Sequence, residues 1–308
     1  MNSEWNLYMD EFGDYLKLER SLSVNSLKAY LSDMDKLQQF VDLSGWDLSP
    51  LQLQQKHILA FLEHIYNLGM TPTSQARILA GVKAFYKFLL YRELIDEDPS
   101  LLLEGPKIDR KLPDTLAFHE IEQILSAIDL STSEGIRNRA IIETLYSSGM
   151  RVTELTELKM SNLYADIGFI RIIGKGNKER LVPIGNDALK YIKQYTQHVR
   201  NQIDIQAGQE NYIFLNRRGS KLSRVMIFNI VRDAAEMAGL NKKVSPHTFR
   251  HSFATHLVEG GANLRAVQDM LGHVSITTTE IYTHLDRDYL RQVITDFHPR
   301  SKRPIIDD

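Results

Sequence analysis

The sequence predicts a mainly helical chain of two domains, with one small antiparallel sheet in the second. Three observations predict it. Apolar residues recur at helical spacing through the first ninety or so positions, that period lapses from Asp96 to Leu116, and two short alternating runs flank Gly174-Lys-Gly-Asn-Lys178.

Tyr8, Phe12, Tyr15 and Leu16 mark a first helix, and Leu27, Tyr30, Leu31, Met34 and Leu37 a second, because residues three and four apart share a helical face. Ser23 is the expected cap of the second. A third helix covers about Lys56 to Leu68 and stops at Gly69. The fourth starts at Thr71-Pro72, a capping hydroxyl followed by proline in the first turn, and runs through Ile78, Val82, Phe85, Phe88 and Leu89. Four helices with short connections predict a small bundle over residues 1–95. Residues 96–116 are the expected linker, since Asp98-Pro99, Gly105-Pro106 and Leu112-Pro113 interrupt any regular element. The second domain, 117–308, opens with helices near 118–128 and 134–147. Phe169-Ile-Arg-Ile-Ile173 and Arg180-Leu-Val-Pro-Ile184 then alternate as the strands of a hairpin. Helices follow at about 186–202, 223–238, 246–259 and 264–271, with a short one near Tyr282 and a terminal one at about 286–297.

At 308 residues and 43% apolar composition the chain can bury a substantial core. It has no cysteine, which excludes disulfides, a thiolate nucleophile, iron–sulfur clusters and cysteine-ligated zinc. No signal-like start and no run of ~18 apolar residues is present, so the expectation is a cytoplasmic protein without membrane insertion. The formal charge of −2 argues neither for nor against nucleic acid until its distribution is considered. Residues 1–110 have a net charge of −5, whereas residues 171–250 hold 15 basic against 6 acidic side chains, enough to line a phosphate-binding surface.

Five segments could carry chemistry. In Ser245-Pro-His-Thr-Phe-Arg-His, Ser245 caps a helix and His247 and Arg250 lie one turn apart near its N-terminus. Helix-end amides, a guanidinium fork and an imidazole there suit a phosphate oxygen. His247 and His251 have the spacing of a metal pair, but Thr248 stands where a metalloprotease needs glutamate, so no metal is expected. In Ser148-Gly-Met-Arg-Val-Thr-Glu-Leu, Arg151 follows a glycine turn and starts a helix carrying Leu155 and Leu158 inward. Glu154, one turn on, is placed to lock it as a fixed fork. Lys175 occupies the hairpin turn, where it is either a solvated lysine or, beside other cations, a general acid. Asn263 opens a helix that Gly272 closes, and His273 follows at once. Tyr282 is one of thirteen tyrosines and is distinguished only by its Thr-rich neighbourhood.

Read in order, Arg151, Lys175, His247-x-x-Arg250, His273 and Tyr282 resemble the catalytic set of the tyrosine recombinases, the phage integrase family. Ser-Gly-Met-Arg-Val-Thr-Glu-Leu, Gly-Lys-Gly-Asn-Lys-Glu-Arg, Thr-Phe-Arg-His-Ser-Phe-Ala-Thr-His-Leu and Leu-Gly-His…Thr-Thr-Thr-Glu-Ile-Tyr-Thr-His are most similar to the Xer branch, and the resemblance covers nearly the whole chain. It implies a SAM-like, bundle-shaped DNA-binding domain without an added arm-binding module, and a mostly helical catalytic domain. It implies that Tyr282 attacks a DNA phosphorus to give a 3′-phosphotyrosyl intermediate and that strand exchange proceeds through a Holliday junction. Arg151 and Arg250 would hold the non-bridging oxygens, and His247 would act as base or phosphate ligand. Lys175 would protonate the leaving 5′-oxygen, and His273 would donate to the phosphate while Glu154 orients Arg151. Neither a cofactor nor a metal enters this chemistry.

Lys28, Arg77, Lys83 and Lys87 on the second and fourth helices, with Lys178 and Arg180 on the hairpin, are the expected phosphate contacts of a clamp on duplex DNA. The partners implied are duplex DNA with paired sites and a tetramer, homomeric or shared with a paralogous recombinase. A septal DNA translocase of the FtsK type is a further partner the resemblance allows, and whether it switches activity on is not legible in the sequence. The terminal helix, with Leu290, Val293, Ile294 and Phe297 as its apolar face, docks either into a neighbouring subunit or onto its own. Resolution of chromosome or plasmid dimers at a dif-like site is the expected role. A mobile-element integrase, a type IB topoisomerase and an inactive DNA-binding module are its rivals.

Overall fold

A computed structural model of the chain describes residues 2–108, 114–174, 179–272 and 284–302. The chain divides into two compact units, Met1–Lys111 and Leu112–Asp308. The expected fold class is what is found: helices throughout, with one three-stranded antiparallel sheet in the second unit.

The first unit contains α1 (Asn2–Leu18), α2 (Val24–Leu43), α3 (Gln55–Asn67) and α4 (Pro72–Tyr91). Ser23 caps α2 by accepting from the Ser26 amide, and Thr71 caps α4 from the Ser74 amide ahead of Pro72, as the sequence predicts. Phe12, Met34, Leu37, Phe61, Phe85 and Phe88 form its core, the aromatic rings meeting edge to face or tilted. One charge lies inside it. Asp33 on α2 is buried and accepts from both terminal nitrogens of Arg77 on α4, at 2.5 and 2.7 Å. Gly81, one turn past Arg77, makes room for this pair, because a Cβ there would stand 2.8 Å from the Asp33 carboxylate. Arg77 thus ties α2 to α4, and its side chain stays half exposed.

The second unit is built around α6 (Ser133–Ser148), in which Ala140, Ile141, Ile142, Leu145 and Tyr146 are all fully buried. Apolar side chains on every face mark a helix surrounded by protein. On it pack α5 (Phe118–Ser126), α7 (Val152–Thr156), α8 (Asn186–His198) and α10 (Pro246–Gly260), and α9 (Arg224–Met237), α11 (Leu264–Leu271) and α12 (His284–Phe297) pack in turn on α10. The sheet has the order β1 (Leu163–Tyr164), β2 (Phe169–Ile173), β3 (Glu179–Pro183), with Arg171 opposite Leu181 and Leu163 opposite Ile170. The hairpin strands match their sequence pattern, whereas β1 is two residues long and too short to show a period. Helix α7 ends at Thr156, so Leu158 packs from the segment after it and not from the helix itself.

Helix α12 lies against its own unit: Leu290, Val293 and Ile294 are buried in the same core as α10, and Phe297 packs beside them. Behind α12 the chain is pinned by Arg300, whose side chain is 7% exposed and reaches Glu143 at 2.7 Å, Asp187 at 2.7 Å and Glu122. His298 is buried beside the rings of Tyr146 and Phe253, and burial lowers its pKa to about 3, so it is neutral. No helix among the described residues is long and apolar enough to cross a membrane.

Candidate active site

The site begins where α6 ends. Gly149 takes a left-handed conformation, φ 58°, and a Cβ on it would stand 2.4 Å from the Phe253 ring, so glycine is needed both for the turn and for the approach of α10. Two residues on, Arg151 starts α7. Its backbone N–H donates to Glu154 Oε2 at 2.7 Å and its Nη1 to Oε1 at 3.0 Å, which is the lock that the spacing suggests. Its side chain is 39% exposed and so can be reached by a ligand from solvent.

Arg250 comes from the first turns of α10. Ser245 caps that helix by accepting from the Thr248 amide, and Pro246 occupies its first turn. The Arg250 guanidinium is buried and donates to the Gly149 carbonyl at 2.6 Å and the Leu271 carbonyl at 2.7 Å. Burial and then the neighbouring Arg151 charge pull its pKa down to about 10, so it remains protonated at neutral pH. His247 is exposed on the first turn of the same helix. The pKa of His251 is lowered by burial first and then by the charges of His247 and Arg250.

A third arginine joins these two. Arg180, on β3, donates Nη1 and Nη2 to the two oxygens of Glu154 at 2.9 and 2.8 Å, and Nε to the Met270 carbonyl at 2.8 Å. Burial alone would raise the pKa of Glu154, but the hydrogen bonds and charges of Arg180 and Arg151 outweigh it and hold the carboxylate below its usual range. The expectation that Arg180 meets a DNA phosphate is corrected here: its side chain is only 8% exposed and all its donors point inward. The missed signal is its strand position, since Arg180 shares a face with the buried Val182, where an outward lysine or arginine would not stand.

Arg151, Glu154, Arg180 and Arg250 thus meet at the end of α11. Three successive carbonyls of that helix end, Met270, Leu271 and Gly272, each accept from a different arginine, with Arg151 Nη2 on Gly272 at 3.3 Å. Carbonyls at a helix C-terminus carry partial negative charge, so they hold guanidiniums that a phosphate oxygen can also engage. Lys175, Lys178, His273 and Tyr282 lie outside the described residues. Lys28 and Lys87 are exposed on α2 and α4, while Lys83 donates to the Leu101 carbonyl at 3.2 Å. Among the described residues no three His, Cys, Asp or Glu side chains gather as a metal-binding group.

A helical bundle is thus followed by a unit in which an arginine at a glycine-turned helix start and a second on a capped helix converge on one helix end, donors whose chemistry suits an anion such as a phosphate. The chain belongs to the phage integrase family, the tyrosine recombinases: residues 114–288 match that family and residues 9–93 match its N-terminal SAM-like domain. It is 39% identical over 296 residues to a tyrosine recombinase XerD of Listeria innocua serovar 6a, covering 96% of this chain and 100% of the relative. It is 42% identical over 300 residues to the tyrosine recombinase XerD of Chlorobaculum tepidum, covering 96% and 98%. In fold it is similar to XerH recombinase bound to palindromic difH substrate in a post-cleavage complex, with a TM-score of 0.69 at 24% identity over 93% of this chain and 84% of that one. A lambda integrase dimer bound to a COC′ core site gives a TM-score of 0.68 at 19% identity over 90% and 98%.

Proposed function

We propose that this chain is a site-specific DNA recombinase in which Tyr282 is the nucleophile. The observation that supports this most strongly is the pairing of a solvent-reachable Arg151, fixed by Glu154, with Arg250 at the same helix end. The Tyr282 phenol oxygen bonds to phosphorus while the P–O5′ bond breaks. Negative charge grows on the non-bridging oxygens, and the two guanidiniums stabilise that charge more in the transition state than in the ground state. The phenol, with an ordinary pKa of ~10, gives its proton to His247, which as an imidazolium then donates to the phosphate as a ligand. Lys175 delivers a proton to the departing 5′-oxygen, and His273 donates to the phosphate. The 3′-phosphotyrosine keeps the energy of the phosphodiester, so a 5′-hydroxyl from another strand reverses the attack and builds a Holliday junction.

The role that fits the XerD relatives is resolution of chromosome or plasmid dimers at a dif-like site, in preference to mobile-element integration. Four protomers would act on two paired duplex sites, two of them supplied by a paralogous recombinase, under a septal FtsK-type translocase. Lys28 and Lys87 would hold phosphates from the first unit. The domain division follows the same reading: 1–95 binds core DNA, 96–116 links and 117–308 catalyses. The test is to trap covalent protein–DNA complexes in chelator, map the modified residue and sequence the attached DNA. DNA on Tyr282, lost in Tyr282→Phe, supports the reading, and DNA on another residue or none at all overturns it. Lys175→Ala should be slow on a normal substrate and recover when the 5′-bridging oxygen is sulfur, a leaving group that needs no proton.

A further inference from the structure

The recombinase reading assigns no role to the buried Arg180, yet this side chain makes more contacts with the site's supporting groups than either arginine aimed at phosphate. Glu154 receives four hydrogen bonds, two from Arg151 and two from Arg180, one of each on either oxygen. The carboxylate is therefore a shared hub. Arg180 also holds the Met270 carbonyl, next to the Leu271 and Gly272 carbonyls that Arg250 and Arg151 use. Gly272 lies directly on its guanidinium: a Cβ there would meet Nη1 at 3.1 Å and Cζ at 3.2 Å, with φ 66°.

We propose that Arg180 is a positioning residue for strand cleavage, holding Glu154 and the end of α11 so that Arg151 faces the scissile phosphate in one fixed orientation. The inference rests on the recombinase reading above. Two physical effects follow from the geometry. A carboxylate bound on both oxygens by a second arginine cannot rotate, so the Arg151 fork that it holds is preorganised and pays no reorganisation during reaction. The charge count matters as well. Three guanidiniums against one carboxylate leave a formal excess of two positive charges at the site. A phosphodiester carries one negative charge and its phosphorane-like transition state about two, so the excess favours the transition state. Removing Arg180 leaves Glu154 to cancel most of the Arg151 charge and frees it to swing.

The experiment uses the full chain and a nicked duplex whose sequence is taken from DNA trapped on the wild-type protein. Single-turnover cleavage is measured for the parent, Arg180→Met and Arg180→Lys on this duplex, and again on the same duplex with a methylphosphonate at the scissile position. The methyl group removes the negative charge that the arginines stabilise, so a defect transmitted through Arg151 shrinks on it. Arg180→Met is expected to cleave the phosphodiester roughly 10- to 100-fold more slowly, below the loss for a donor that itself touches the transition state. Its DNA affinity should stay within about threefold and its defect on methylphosphonate should be several-fold smaller, with Arg180→Lys intermediate. The ratio of the two rates does not depend on the folded fraction, so it remains informative if Arg180→Met folds poorly, and Arg180→Lys keeps the buried charge. An equal loss on both substrates makes Arg180 merely structural and overturns the proposal, as does an unchanged rate. If Tyr282→Phe cleaves like the parent, the recombinase reading fails instead.

Discussion

Two buried glutamates in the second unit face two arginines each, yet they are driven in opposite directions. Glu154 accepts on both oxygens, from Arg151 and Arg180, and its pKa falls although burial alone would raise it. Glu143, wholly buried on α6, takes Arg139 Nε and Arg300 Nη2 on the same oxygen, Oε1, while Oε2 has no protein partner. Its pKa rises, because burial outweighs the Arg300 and Arg139 charges. The two sites differ in hydrogen bonding and in charge: Glu154 is bound on both oxygens, whereas Glu143 shares Arg300 with Glu122 and Asp187, and the Asp187 charge pushes the Glu143 pKa further up. Glu154 supports the candidate active site, and Glu143 lies under the segment that pins α12.

Four experiments would break or sharpen this contrast. The largest effect is expected from Glu154→Leu, which leaves two arginines without their carboxylate: stability in urea should fall by about 3–5 kcal/mol, and cleavage per folded molecule by about 100-fold. Arg300→Met should lose a similar ~3–5 kcal/mol, because three carboxylates lose their shared cation. Its cleavage rate per folded molecule should change by less than about threefold; a larger loss would mean that the two regions are coupled. Gly149→Ala comes next, with about 1–3 kcal/mol lost from the left-handed φ and the Phe253 clash. Its cleavage should fall too, since Arg250 is bonded to the Gly149 carbonyl.

The smallest effect is the pH dependence of two conservative variants. The folded pKa of Glu154 lies below its ordinary value of 4.5, so its contribution is present above pH 4.5 and disappears as the pH falls through the lower value. The stability gap between the parent and Glu154→Gln should therefore close in acid. The folded pKa of Glu143 lies above 4.5, so its protonation stabilises the fold below that pH and this gain is lost as the pH rises through the higher value. The parent should gain on Glu143→Gln as the pH is lowered from 7 towards 4.5. Equal slopes in urea melts would remove the distinction between the two sites.

Much of the site was legible in the sequence. Gly149 before Arg151, Glu154 one turn later, and the Ser245-Pro246 start of α10 below Arg250 are local signals, and the structure forms each of those local elements. The inward turn of Arg180 and the Asp33 partner of Arg77 were not legible. Their partners Asp33 and Glu154 lie 44 and 26 residues away, beyond the reach of any periodic pattern. Arg300 was not singled out at all, and its partner Glu143 is 157 residues distant.

By itself the sequence determined most of the helices, the hairpin strands and the caps, because hydrophobic period, capping hydroxyls and glycine turns act over a few residues. Only the tertiary structure decided which charged side chains turn inward, which side chains α12 buries, and that three arginines share the end of α11. The physical reason is that a buried charge is tolerated only where hydrogen-bonding partners from distant segments converge on it, and that convergence exists only once the chain is folded.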